Sequence, residues 1–498
     1  MSKSASSRAK PLVLRKLGHF ERFQTSLLTM DLACGPIVTC FYRIPQHLRD
    51  SRDKLVDTLE AAVADHIRKH PLLQVGVIGQ DTKRPSWIQL DEINLKDHIV
   101  WKTADLNDGY YGKLNEITRQ ELDTTFGNFA TRPGWRLLIQ ELEGQNLLEV
   151  MFIWNHMCSD GNGGKIFHES LLESLNTPNL PPLENHVFKT TTTAENMLPP
   201  QNVIAKFKIT PGFAAANAWH ELKPPMLNSK SAYVSWADHT KTPRKTQIRS
   251  FNMDNEATQK ILSACRSHKT TLTGLLHAAA FMSLAHQLPE EKLASMISQT
   301  PVNLRRFIKP NPEAFSGFEP KQLIANYVTM MDHVFKKNIV QKVRQQSRSV
   351  GDDEQRFSAL EEEMWSAAAF IRGEIQDKLD LGLKNDLVGL MGLVGDWDKY
   401  HKDELKKPRK ASWLVSNVGV IDGQNNGDDD TSRWTIERSK FSLSACVVGA
   451  MFNIGVISVK GKDLYIDLSW QDDIIDAGIA DQMIADLEKW LHHVAQKA

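Results

Sequence analysis

The chain predicts a mixed α/β fold, an α+β arrangement of mixed sheets, shared between two lobes. Three observations carry that expectation. Apolar runs of strand character are interleaved with amphipathic stretches of helical period through the first half of the sequence. From Thr177 the texture changes to a stretch rich in Pro, Thr and Asn without periodicity, which reads as a long connection between two folded parts. A length of 498 residues, with 41% hydrophobic and 24% charged residues, suits two domains or one large bilobed unit. The expected division is residues 1–185, a connection over 186–241, and residues 242–498.

The elements follow in order. Residues 1–10 read as a disordered tail, and GHFERFQTSLLTM after Leu17 as a short helix or turn leading to a strand over 36–42. Residues 48–70 carry Leu55, Leu59, Val63 and Ile67 at four-residue spacing, an amphipathic helix that Pro71 stops. LLQVGVIG returns as a strand, 87–90 and 98–102 are shorter strands, 110–124 is a helix and 136–142 a strand. LLEVMFIW from Leu147 is an apolar strand running into His156, a glycine-rich turn and an amphipathic helix that begins near Lys165.

In the second half, 242–252 is a strand and 254–268 a helix capped by Asp254. Residues 273–286 form an almost wholly apolar helix, which must be buried. MISQTPVNLRRF is a strand ending in polar and basic residues, and helices are expected over 353–380 and 386–400. SWLVSNVGV, residues 412–420, is a strand, and GQNNGDDDTS after it has the composition of an exposed excursion. Strands over 444–460 and 463–470 meet at a turn, and a helix over 476–494 follows. Its apolar side, Ile479, Met483, Leu487, Trp490 and Leu491, packs on the last strands or rests on a membrane surface. Acids as well as bases on its polar side favour packing.

Charge and cysteine content narrow the class. Lys+Arg and Asp+Glu balance at 60 each, so no bulk field draws in nucleic acid or an anionic membrane. Five scattered cysteines without a CxxC pair argue against a disulfide framework and a zinc site, and no metal is expected. The basic, Ser-rich start lacks the apolar segment of a signal peptide, and no run of about 18 apolar residues occurs, so a monomeric cytoplasmic protein is expected.

His156 and Asp160 stand four residues apart, with Gly161 next. A histidine delivered by the end of a buried strand is held rigidly and suits proton transfer. With 17 His in the chain, an HxxxD pattern arises about once by chance, so its context decides. The bland readings are a satisfied core histidine for His156 and a helix cap for Asp160. Gly161, Gly163 and Gly164 supply positive φ, close approach to a ligand, or merely the turn.

HxxxDG after a strand and before a helix resembles the active-site motif of the chloramphenicol-acetyltransferase-like superfamily. That group includes peptide-synthetase condensation domains, plant acyl-CoA-dependent acyltransferases and fungal alcohol acetyltransferases. LGHFERF and AAVADHIRKHPLLQV resemble the opening segments of the alcohol acetyltransferases, PVNLRR (301–306) the superfamily's second-lobe strand, and VSNVG (415–419) its late crossover strand. The ordered set spans nearly the whole chain. Asn155 stands where condensation domains carry a further His, no carrier-protein or adenylation segment is seen, and the DFGWG element of the plant enzymes is absent.

The resemblance implies two chloramphenicol-acetyltransferase-like lobes with a channel between them. It implies acyl transfer from acetyl-CoA to the hydroxyl of a hydrophobic alcohol or secondary metabolite, with His156 as general base. Arg305 would pair with Asp160 across the lobes, and Ser416 and Asn417 are candidates for lining the channel and its oxyanion site. Alternatives are a carrier-protein-dependent or N-acylating enzyme, and a non-catalytic metabolite-binding protein of the same fold. Peripheral association with a membrane or lipid droplet would be compatible with some members of the family.

Overall fold

The computed structural model describes residues 11–104, 110–222, 233–234, 236–309, 319–424 and 431–498. The expected tail over 1–10 and most of the acidic excursion, 425–430, lie outside the described residues.

Leu147–Trp154 is the middle strand of a five-stranded sheet ordered Thr435–Ser442, Ile37–Arg43, Leu147–Trp154, Trp135–Leu142 and Ile99–Ala104. All neighbours are antiparallel except the last pair, which is parallel. The run LLEVMFIW, apolar but for the buried Glu149, is explained by cover on both faces. Leu148, Val150, Phe152 and Trp154 join a core with Phe167 and Leu171 of the helix Gly161–Leu175 and Leu59 and Val63 of the helix Arg52–Arg68. Met151 and Ile153 face the other way, onto Leu114 and Leu122 of the helix Tyr110–Asp123.

The second sheet has six strands in the order Thr246–Met253, Leu464–Gln471, Phe452–Val459, Ala411–Ile421, Met296–Asn303 and Val328–Phe335. Ala411–Ile421 runs parallel to both of its neighbours. The apolar helix Leu272–Gln287 is buried around its whole circumference, in one core with Leu360 and Met364 of the helix Asp353–Leu381 and Met483 and Leu487 of the helix Ala477–Lys497. The apolar side of that last helix is therefore taken up by packing: Met483, Leu487, Trp490 and Leu491 are all buried. No helix among the described residues is long and apolar enough to cross a membrane.

Several expectations change. Residues 386–400 do not form one helix: Asp386 caps a 3₁₀ segment Leu387–Leu393, and Asp396 caps a separate helix Trp397–Glu404. The Pro- and Thr-rich connection carries structure, including a strand Val187–Lys189 paired with Glu92–Asn94 and a helix Pro211–Leu222. The strands Val328–Phe335 and Thr435–Ser442, and the helix Lys337–Arg348, carry too many polar residues to read as such. Both strands lie at sheet edges, where one backbone side has no partner and polar residues are tolerated.

The interior holds many histidines. Burial pushes His66 and His277 well below the ordinary value of 6.5, His70 down to about 3 and His168 down to about 4. Groups depressed in the folded state take up protons first in the unfolded chain, so their penalty is absent above pH 6.5 and grows as pH falls. The urea midpoint is expected to drop between pH 6.5 and 5, before most carboxylates titrate. A flat midpoint over that range would contradict the buried, neutral state of these rings.

Candidate active site

The strand Leu147–Trp154 ends in a turn built by its own side chains. The Asn155 N–H donates to the Gly134 carbonyl at 2.7 Å, and Asn155 Oδ1 accepts from the Met157 N–H at 2.9 Å. Trp154 donates its indole N–H to the Ser159 carbonyl at 2.9 Å, so the turn folds back over the strand that feeds it. His156 sits at the crest, half-buried, between fully buried neighbours. Burial pushes its pKa below the ordinary 6.5; its own carbonyl, the Asp160 charge and the Asn326 side chain pull upward but do not win. The ring is therefore neutral at neutral pH. Its Nδ1 is buried and has no hydrogen-bond partner. Phe20, on the helix His19–Thr29, presents its ring edgewise, with centroids 6.3 Å apart.

Asp160 combines the two roles that the sequence left as alternatives. Its Oδ1 accepts from the Gly163 N–H at 3.0 Å and caps the helix Gly161–Leu175. Its Oδ2 accepts from Arg305 Nη1 at 2.7 Å and from the Tyr327 N–H at 2.9 Å. Both side chains of the ion pair are 2% exposed. Arg305 follows the second-sheet strand Met296–Asn303, so the pair ties the two lobes together at the motif. The guanidinium is satisfied further by the carbonyls of Ala325, at 2.6 Å, and Leu323, at 3.2 Å, and lies over the Tyr327 ring.

The helix begins at Gly161, not near Lys165, so the three glycines form its first turn. None has positive φ. They are needed for space: a Cβ at Gly163 would run into the Ser159 hydroxyl, and one at Gly164 into the Trp154 indole. A Cβ at Gly161 would meet Val418 Cγ1 at 3.0 Å, which brings the late strand Ala411–Ile421 over the motif helix. Ser416 on that strand is buried, whereas Asn417 is exposed. The Asn417 amide is committed elsewhere, donating to Thr273 Oγ1 at 3.2 Å and accepting from the Gly419 N–H at 2.9 Å.

With this geometry in hand, comparison with known proteins is decisive. Residues 88–491 match the alcohol acetyltransferase family. The chain belongs to that family. Like other members it is an acyltransferase, moving an acyl group to a hydroxyl. A probable alcohol acetyltransferase of Fusarium pseudograminearum, FCK4, is 25% identical over 447 residues, covering 87% of this chain and 85% of that protein. Among solved structures, the TRI3 trichothecene 15-O-acetyltransferase of Fusarium sporotrichioides superposes with a TM-score of 0.68 at 14% identity, covering 99% of both chains. TRI101 of the same organism, solved with coenzyme A and T-2, gives a TM-score of 0.54 at 12% identity, covering 97% of this chain and 98% of that one. These likenesses establish the two-lobed fold of the superfamily.

Two neighbours of the His156 turn escaped sequence reasoning. Phe20 was legible only as part of LGHFERF, and the segment 323–327, LIANY, drew no attention although Asn326 interrupts an apolar run. Size alone also misleads. A cavity of about 520 Å³ lies at the opposite end of the strand from His156, around Arg43, Arg49, Leu147 and Lys462.

Asp160→Asn would leave the Arg305 guanidinium buried beside a neutral amide. A loss of about 3–5 kcal/mol is expected, read as a lower urea midpoint. Gly164→Ala, which forces a methyl group into the Trp154 ring, should cost about 1–3 kcal/mol by the same measurement. An unchanged midpoint for Asp160→Asn would refute the structural role of the pair.

Proposed function

We propose that this member of the family is an acetyl-CoA-dependent O-acetyltransferase for a hydrophobic alcohol, with His156 as its general base. The observation that carries this is a neutral imidazole at the crest of a rigid strand, beside a carboxylate whose two oxygens are already taken by Arg305, Tyr327 and Gly163. Asp160 is thus an anchor, and proton transfer falls to His156 alone.

Neutral His156 removes the hydroxyl proton of the acceptor as its oxygen attacks the thioester carbonyl of acetyl-CoA. Collapse of the tetrahedral intermediate breaks the carbon–sulfur bond, and the imidazolium returns the proton to the departing thiolate. The products are the acetyl ester and free coenzyme A. A base placed in this way contributes roughly 10²- to 10⁴-fold. The developing oxyanion needs a donor, for which the Ser416 hydroxyl is the candidate left once the Asn417 amide is committed to Thr273 and Gly419. The apolar acceptor is favoured by the rings on one side of His156. Phe20 packs on Phe23 with centroids 5.8 Å apart, and Phe23 meets Trp397 at 5.2 Å.

The test is to incubate the purified protein with acetyl-CoA and 3-methylbutan-1-ol, geraniol or ergosterol while following free thiol. Turnover is expected with at least one acceptor and none with His156→Ala; full turnover by that variant would sink the mechanism. Because the base is depressed and must be unprotonated, the acid limb of kcat/KM should lie below pH 6.5. Ser416→Ala is expected to lower kcat by about 10²-fold with KM little changed.

A further inference from the structure

The turn that carries His156 is gripped by a segment of the second lobe that nothing above has given a chemical role. The Asn326 side chain donates from Nδ2 to the main-chain carbonyl of His156 itself. Asn326 is 4% exposed, and its amide oxygen is buried without a partner. The orientation of the amide follows from chemistry: a carbonyl only accepts, so the NH₂ end must face it. Leaving the amide oxygen buried and unpaired is costly, and structures retain such groups where they serve a purpose.

The backbone around Asn326 is fixed on both sides. The carbonyl of Ala325 accepts from Arg305 Nη2 at 2.6 Å and from the Asp160 N–H at 3.4 Å. The Tyr327 N–H donates to Asp160 Oδ2 at 2.9 Å, and the Tyr327 carbonyl accepts from the Leu304 N–H at 2.8 Å. Both neighbours of Asn326 are thus pinned by the buried ion pair or the strand beside it, and its side chain is held against the His156 turn. The carbonyl it grips is also the one that acts on the imidazole of the same residue, drawing its pKa upward. His156 Nδ1 is itself buried without a hydrogen-bond partner, so the backbone that carries the ring is what aims it. If that carbonyl were free to swing, the turn would loosen and the ring would lose its orientation.

We propose that Asn326 is a positioning residue for the transfer reaction: by holding the His156 carbonyl it fixes the turn that aims the imidazole at the acceptor hydroxyl. The proposal rests on the base role of His156, and its test separates the two. Asn326→Ala, Asn326→Asp and Asn326→Gln would be compared in kcat, in KM for acetyl-CoA and for the acceptor that turns over, and in pH profile. The ¹⁵N shifts of the His156 ring, assigned against His156→Asn, report its tautomer without any substrate.

Alanine should lower kcat by about 10- to 100-fold while KM stays within about threefold, the mark of a displaced group rather than lost binding. Its acid limb should move to lower pH, because influences that raise the pKa are removed. Its ring shifts should differ from those of the unaltered protein. Aspartate, which sets an oxygen against the carbonyl, should fall below alanine at pH 8, whereas glutamine, which keeps a donor, should recover part of the rate. Alanine within twofold of the unaltered kcat with unchanged ring shifts would overturn the proposal, as would aspartate equal to or better than alanine. Should alanine fail to fold, aspartate matching glutamine would overturn it. Turnover by His156→Ala defeats the base role instead, and leaves the comparison of ring shifts to decide on Asn326.

Discussion

The buried pair between Asp160 and Arg305 is the interaction on which the site depends. Two charges removed from water lose solvation worth several kcal/mol each, and only good geometry with further hydrogen bonds restores the balance. Both conditions hold here. The carboxylate accepts from the helix start, from a guanidinium and from a backbone N–H of the second lobe, while the guanidinium also reaches two carbonyls. Such a pair contributes less to net stability than to specifying one arrangement. Any sliding of the lobes would strand a buried charge, so the position of His156 relative to the late strand is set by electrostatics as much as by packing.

The same arrangement explains why the motif needs both residues and why they do different things. Both oxygens of Asp160 are engaged, by three donors in all. The His156 ring is buried enough to stay neutral, and its Nδ1 has no hydrogen-bond partner. The glycines complete the division of labour. By admitting the Ser159 hydroxyl and the Trp154 indole against the helix start, they let the turn close tightly enough for the carboxylate to reach the second lobe.

Much of this was legible in the sequence, for physical reasons. Strands buried on both faces and helices buried all round announce themselves by nearly unbroken apolar runs, as in LLEVMFIW and LLHAAAFMSLA. His156, Asp160 and Arg305 were found because strong local patterns carry them, and the structure brings the last two together across the lobes. The edge strand Thr435–Ser442 was missed because Glu437 and Arg438 sit at its more open positions and Lys440 is buried against Asp467 and Asn115, which together erase the periodic signal. Asn326 was missed for another reason. A single amide in an apolar stretch has no spacing to betray it, and its importance comes from a contact with a residue 170 positions away. The glycine run was read as a loop when it opens a helix, since close approach and positive φ leave the same mark on a sequence.

The strand Thr435–Ser442 completes the first sheet by pairing with Ile37–Arg43. Its residues follow Ile37–Arg43 by almost 400 positions, so this edge stays open through most of the synthesis of the residues between them. Until those residues leave the ribosome, Ile37–Arg43 presents a row of unpaired backbone groups, an invitation to the wrong neighbour. Pairing over so long a stretch of chain is also slow to find. Nascent chains of this protein therefore pass through a period of vulnerability that lasts until residues 435–442 have emerged, and chains cut short before residue 435 would carry that open edge permanently.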